Sequence, residues 1–114
     1  MNKEQRKILR EQFTSIKPTM GVLTVTNTRN NKLYVEGSIN IEALINRTLF
    51  MLNSGQFELV ALQNDWLEFG QDAFVFEQPV IIKHEEDKII NYRKEVERAE
   101  VLLKEQLKGK AELY

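Results

Sequence analysis

The sequence contains no cysteine and only one histidine, His84, among its 114 residues. The missing cysteines exclude disulfide bonds, thiolate zinc sites, iron–sulfur clusters and cysteine nucleophiles, and a lone histidine excludes multi-histidine metal sites. No apolar run approaches the roughly 20 residues of a membrane span, and residues 1–7 lead into no signal-peptide core. These absences predict a cytoplasmic protein with no membrane partner.

Charge is nearly balanced overall but is distributed unevenly along the chain. The formal net charge is −1, which argues against a polyanion-binding protein held by bulk charge alone. Residues 1–57 nevertheless carry eight basic and four acidic residues, whereas residues 58–114 carry eight and thirteen. This asymmetry fits a basic binding face, an acidic metal-binding face or two complementary self-association surfaces, and it does not choose among them.

The length predicts a single domain over residues 1–114, which begins with an N-terminal helical segment, 1–17. Apolar residues at helical spacing place that helix from Lys3 to Ile16, and Pro18 ends it because a proline disfavours helical geometry in the preceding residue. Residues 21–26 and 32–36 are rich in β-branched side chains and flank an asparagine-rich turn. This pattern predicts a β-hairpin.

The rest of the chain predicts three further helices and one further strand. The helices are expected over residues 40–52, 58–69 and 85–107, where apolar residues recur at helical spacing. Asn40 is the expected N-cap of the first of these helices, and Ile89 and Val96 are expected on the buried stripe of the last. The strand is expected over residues 73–82, with Pro79 at a sheet edge or bulge because proline cannot donate to a ladder. The order α-β-β-α-α-β-α predicts an α+β fold with a small three-stranded antiparallel sheet flanked by helices.

A glycine-led strand, an asparagine-rich turn and a tyrosine-led strand follow one another as Gly21-Val22-Leu23, Asn27 to Lys32, and Tyr34-Val35. This succession resembles the opening of the GIY-YIG nuclease domain, which runs from a G-I-Y strand through an N-x-x-N-x-K turn to a Y-[IV]-G strand. The likeness extends over residues 21–107 and implies the same α+β core. The segment Lys17 to Gly21, K-P-T-M-G, resembles a small bacterial branch of the family that begins with an extra helix.

The resemblance implies a set of catalytic positions, and this chain departs from most of them. The family hydrolyses DNA phosphodiesters with one divalent metal, using two strand tyrosines, a helix arginine and a metal-binding glutamate. The first tyrosine falls at Leu23, and the helix arginine falls at Leu44. The glycine of the second motif falls at Glu36, and a histidine common on the first helix falls at Thr48.

Three of the implied positions keep a suitable residue. The second tyrosine is Tyr34, an additional helix arginine is Arg47, and the metal glutamate falls at Glu100, with Glu97 as the rival assignment. Each also has a structural interpretation: cross-strand packing for the tyrosine, pairing with an acid for the arginine, and i,i+4 pairs on a solvated helix for Glu100. No cofactor is expected unless nuclease activity remains, in which case the metal would be Mg²⁺.

The departures at these catalytic positions favour a domain that has kept the family's fold and no longer hydrolyses phosphodiesters. Leucine can neither activate water nor stabilise a phosphorane, and Glu36 puts a negative charge where the scissile phosphate would approach. The first hypothesis is therefore a binding module without nuclease activity. Its inherited ligand is DNA, and the basic residues expected to contact it are Lys17, Arg29, Lys32 and Arg47.

Two other hypotheses stay open at this point. One is a working metal-dependent DNA endonuclease with a rearranged site made of Tyr34, Glu36 and Glu100. The other is a protein-interaction or homo-oligomeric scaffold with no role in nucleic-acid binding, joined through the basic and acidic halves of the chain.

Overall fold

The computed structural model describes residues 18–85 and 88–114. The helix expected over residues 3–16, the segment 1–17 and Lys17 lie outside the described residues. No helix in the described part of the chain is both long and apolar enough to cross a bilayer. The elements are β1 (Met20–Asn27), β2 (Lys32–Ser38), α1 (Ile41–Asn53), α2 (Val60–Phe69), a short 3₁₀ turn (Gln71–Ala73), β3 (Phe74–Ile82), α3 (Tyr92–Leu107) and β4 (Glu112–Leu113).

The four strands of the described chain form one mixed sheet in the order β3-β1-β2-β4. β1 lies antiparallel to both β2 and β3, as predicted, so the α+β class is confirmed. The three-strand count was wrong, because β4 adds a parallel strand that pairs with Lys32 and Leu33. A strand of two residues is too short to show the period-2 pattern from which strands are predicted.

The turn between β1 and β2 depends on asparagine side chains. Asn31 has a φ of 61°, which asparagine tolerates better than most residues. Its N–H donates to the Asn27 carbonyl at 2.7 Å, and the Asn30 Oδ1 accepts from the Lys32 N–H at 3.0 Å. The hairpin prediction is confirmed, and the resulting register places Tyr34 opposite Val25 and Glu36 opposite Leu23.

β3 is an edge strand with a bulge at the predicted proline. Val22 pairs with Val80 and Thr24 pairs with Glu77, so the register shifts between them. Gln78 and Pro79 together occupy the place of one regular residue opposite Leu23. The proline therefore needs no ladder partner for the N–H that it lacks.

α1 and α2 pack on one face of the sheet and form the main hydrophobic core with it. The core residues are Leu23, Val25, Ile41, Leu44, Leu52, Leu62, Trp66, Ala73 and Phe74. The buried Trp66 side chain keeps a hydrogen-bond partner, since its Nε1–H donates to the Asn53 Oδ1 at 3.1 Å. Burying side chains of this size contributes about 1.5–3 kcal/mol each, so this layer fixes α1 and α2 against the sheet.

The helix limits follow their capping residues. Asn40 caps α1 as predicted, because its Oδ1 accepts from the Ala43 N–H at 3.1 Å. α2 begins at Val60 and not at residue 58, and it ends at Gly70, which has a φ of 82°. The loop before α2 is held by the buried Gln63, which accepts from the Phe57 N–H at 2.9 Å and donates to the Leu52 carbonyl at 3.0 Å.

α3 covers the other face of the sheet and begins later than predicted. It starts at Tyr92 and not at residue 85, because the Asn91 side chain caps it by accepting from the Lys94 N–H at 3.3 Å. Ile89 was expected on the buried stripe but lies before the helix and is fully exposed. Val96 is buried, as expected from the stripe.

Gly37 allows α3 to approach β2 closely. A Cβ at Gly37 would lie 2.5 Å from the Val96 Cγ1 and 3.0 Å from the Val96 carbonyl oxygen. Side chains and backbone cannot approach that closely without a shift, so the glycine determines how near the helix lies to the strand.

Gly37→Ala should destabilise the protein by about 1–3 kcal/mol, because the added methyl group overpacks the contact between α3 and β2. Urea unfolding of the variant and the wild type measures the difference. In the double variant Gly37→Ala/Val96→Ala the clashing Cγ1 is removed, so the two substitutions should cost less together than the sum of their separate costs. Additive costs would contradict a steric contact.

Candidate functional site

The candidate site lies at the edge of β2, where three elements meet. Every second residue of β2 lies on the face of the sheet that carries α1 and α2, and these residues include Lys32, Tyr34 and Glu36. Arg47 comes from α1, and Glu100 reaches the strand from α3 on the other face. A cavity of about 310 Å³ opens here, lined by Tyr34, Glu36, Arg47, Thr48, Met51, Phe57, Glu58 and Leu59.

Tyr34 is held by an aromatic contact and by a carboxylate. Its ring packs edge-on against Phe57, with 5.4 Å between ring centroids and 88° between planes. Its hydroxyl donates a hydrogen bond to the Glu36 Oε2. Burial raises the pKa of Tyr34, and this hydrogen bond together with the negative charges of Glu36 and Glu100 raises it further, against the opposing effect of Arg47. The phenol is therefore a neutral donor at neutral pH.

Glu36 joins the tyrosine to the arginine. While its Oε2 accepts from Tyr34, its Oε1 lies 3.7 Å from an Arg47 guanidinium nitrogen. The Arg47 side chain is 69% exposed and the Glu36 side chain 32% exposed, so solvent weakens the ion pair. A phenol and a guanidinium converging on an anion would suit a phosphate oxygen equally well. In this chain the converging anion is the protein's own carboxylate.

Glu100, and not Glu97, lies against β2. Its Oε1 accepts from the Gly37 N–H at 2.7 Å, and its Oε2 lies 3.6 Å from the Lys104 Nζ. The expected i,i+4 pair is therefore present, together with a backbone contact that the sequence did not indicate. Glu97 is exposed on the same helix.

The arrangement around Glu100 does not fit a Mg²⁺ ion. One carboxylate oxygen is occupied by a backbone N–H, and the other faces an ammonium group. Mg²⁺ prefers six oxygen ligands in near-octahedral geometry. Within residues 18–85 and 88–114, no three Asp, Glu, His or Cys side chains gather as metal ligands.

The three other implied positions lie in the interior. Leu23, Leu44 and Thr48 are all buried. The two leucines belong to the core between the sheet and the helices, so a substrate in the cavity would meet no polar group from them. Thr48 lines the cavity.

The predicted basic residues lie along the same hairpin and helix. Arg29 is exposed at the turn. The Lys32 Nζ lies 3.8 Å from the Glu112 Oε1 and 5.7 Å from the centre of the Tyr114 ring. With Arg47, these residues form a row beside β2, and each of the ion pairs formed by Lys32 and Arg47 is long and partly exposed.

A partly buried cluster of polar side chains, which the sequence patterns did not indicate, lies at the Lys32 end of this row. The Nδ2 of the fully buried Asn27 donates to the Tyr114 hydroxyl at 2.9 Å and lies 3.3 Å from the Asp65 Oδ2. Tyr114 donates to the same Asp65 oxygen at 2.5 Å, and burial raises the pKa of Tyr114. The cluster ties the turn, α2 and β4 together, which fixes the position of Lys32. In the sequence, the one indication of this cluster was Asn27, a polar residue at the end of the apolar strand β1.

Comparisons with known proteins agree with this fold. The chain is similar to a structure entitled the catalytic domain of intron endonuclease I-TevI, in a form with one glutamate changed to alanine: identity is 30% over 76% of this chain and 82% of that one, with a TM-score of 0.57. A second structure, the catalytic domain of homing endonuclease I-TevI, is 27% identical over 75% and 86%, with a TM-score of 0.58. No protein-family profile and no curated protein matches the chain.

These similarities define a nuclease-like α+β fold. The chain belongs to the GIY-YIG superfamily. The resemblance seen in the hairpin motifs is thereby confirmed at the level of the fold.

Tyr34→Phe should reduce the loss of stability at alkaline pH. An unfolded tyrosine has a pKa of about 10, and the folded-state pKa of Tyr34 is higher, so its contribution is complete below about pH 10 and is lost as the pH rises toward the folded value. The free energy of unfolding of the wild type should fall more steeply above about pH 10 than that of Tyr34→Phe. Urea unfolding at several pH values measures both slopes, and equal slopes would contradict the raised pKa.

Proposed function

We propose that this chain is a GIY-YIG domain that binds the DNA backbone along the edge of β2 without hydrolysing it. The observation that carries the proposal is the position of the Glu36 carboxylate, which accepts from Tyr34 and pairs with Arg47. The two groups best suited to hold a scissile phosphate are already bound to an internal anion. A phosphate that displaced Glu36 would still meet its negative charge nearby.

The remaining groups do not supply hydrolytic chemistry. Phosphodiester cleavage needs a group that activates water and positive charge at the developing phosphorane. The first role has no candidate at Leu23, which is buried in the core, and the second has none at Leu44. Loss of a general base costs about 10²–10⁴ in rate, and loss of a transition-state arginine costs about 10³–10⁵. The two losses together support a domain without nuclease activity.

The row of basic residues supports DNA as the ligand. Lys32 and Arg47 each pair with an acid at nearly 4 Å in a partly exposed setting, and such pairs contribute little to stability. A DNA phosphate can therefore replace Glu112 at Lys32 at small cost, and the exposed Arg47 guanidinium can add a phosphate through its other N–H groups while it stays beside Glu36. Arg29 extends the row at the exposed turn. Binding of this kind releases counterions and weakens steeply with salt.

Purified protein with Mg²⁺ should show no nicking of supercoiled plasmid that depends on Glu100. The comparison is between the wild type, Glu100→Ala and Glu77→Ala, the last being a change at an exposed glutamate on β3. Equal background in all three proteins is expected. Nicking by the wild type and Glu77→Ala that disappears in Glu100→Ala would overturn the proposal and favour a rearranged nuclease site.

Charge reversal at Lys32 and Arg47 together should weaken binding to a short labelled duplex by about tenfold or more at low salt, because at least two phosphate contacts are lost. Fluorescence anisotropy measures the affinity at several salt concentrations. The double variant should also show a smaller salt dependence than the wild type.

The matched control reverses Lys83 and Lys88, two exposed lysines beyond the opposite edge strand, and changes the net charge by the same amount. It should retain most of the wild-type affinity. Equal losses in both double variants would indicate bulk charge and contradict a site on β2. No binding by the wild type at low salt would exclude DNA as the ligand.

A further inference from the structure

The outer face of α3 carries two aliphatic side chains that nothing in the described chain covers. Val101 is 56% exposed and Leu102 is 61% exposed, and charged residues stand on either side of them in α3. The opposite side of α3 packs on the sheet through Val96. A groove of about 640 Å³ runs along the exposed face, lined by Lys94, Glu97, Arg98, Glu100, Val101 and Leu102.

The charges on this face are arranged in a self-complementary way. Arg98, Val101, Leu102 and Glu105 stand at positions i, i+3, i+4 and i+7, which places them on one stripe of the helix. Arg98 lies as far before the midpoint between Val101 and Leu102 as Glu105 lies after it. A second α3 packed antiparallel about that midpoint would therefore set Arg98 opposite Glu105 of the second copy, twice over.

We infer that the exposed face of α3 binds a second copy of this chain, through antiparallel packing of the two α3 helices about a two-fold axis. The same patch then serves both copies, as an isologous interface requires. Val101 and Leu102 meet their own counterparts at the centre, and the two ion pairs between Arg98 and Glu105 flank them. The inference is independent of the proposed DNA contact, since it uses none of the side chains that line the β2 cavity.

The alternation of sign favours a second copy over other partners. A polyanion would meet Glu105 as well as Arg98, and an acidic or basic partner would meet one unfavourable charge on the stripe. Arg98 already pairs with Glu95 at 3.2 Å, but both side chains are largely exposed, so this pair contributes little and leaves the guanidinium able to add a second acid. The net charge of −1 opposes self-association only weakly.

The area of the exposed α3 face determines the expected strength of the dimer. A helix of 16 residues is about 24 Å long, and two such helices side by side bury less than a standard interface of about 1,600 Å². The dimer should therefore be weak and depend on concentration. Sedimentation of the full chain from about 10 µM to about 1 mM should show a rise from the mass of one chain toward twice that mass.

Charge reversal tests the register directly. Arg98→Glu and Glu105→Arg should each weaken self-association by about tenfold or more, because each variant sets like charges opposite each other twice. An equimolar mixture of the two variants should associate at least as well as the wild type, since every pair is then of opposite charge. Leu102→Ser should also weaken the dimer while leaving the circular dichroism spectrum and thermal unfolding unchanged.

Lys83→Glu, an exposed change away from α3, should leave self-association as in the wild type. A single-chain mass at every concentration would overturn the inference. The inference would also be overturned if neither charge reversal weakened self-association. The same holds if the mixture of the two variants failed to restore self-association.

Discussion

The rest of the site depends on the two contacts that the Glu36 carboxylate makes. It accepts from the Tyr34 hydroxyl and pairs with Arg47, so a strand residue, a helix residue and the cavity wall are tied together at the edge of β2. The arrangement needs no ligand to be satisfied, since an anion with a neutral donor and a cation around it is already stable. The side chains of this site therefore satisfy one another, which supports the proposal of binding without hydrolysis.

Two positions that the family resemblance assigns to catalysis belong to the hydrophobic core of this chain. Leu23 and Leu44 are buried among apolar neighbours, where each contributes about 1.5–3 kcal/mol. A tyrosine and an arginine at these positions would have to bring polar groups into the same layer, at a cost unless each found a partner. Packing of these side chains therefore contributes to holding the sheet, α1 and α2 together. A hydrophobic layer therefore occupies the two positions that the resemblance assigns to a catalytic tyrosine and a catalytic arginine.

Sequence patterns predicted the parts that depend on neighbours along the chain. The Asn40 cap, the asparagine turn and the Pro79 bulge all follow from local backbone chemistry, and all three are confirmed. The sequence could not predict β4 or the cluster of Asn27, Asp65 and Tyr114, because these depend on pairings between residues far apart. The sequence indicated an acid as a partner of Arg47, but not that this acid is Glu36, which lies on a different element.

Titration of isotope-labelled protein with inorganic phosphate tests most directly whether Glu36 occupies a phosphate site. Glu36→Ala should show saturable chemical-shift changes at the Tyr34 and Arg47 amides and at the Arg47 guanidinium, because the two donors lose their internal anion. The wild type and Glu58→Ala, which removes the other carboxylate of the same cavity, should show much smaller changes at the same concentrations. Phosphate binding of equal strength in the wild type and Glu36→Ala would contradict the account.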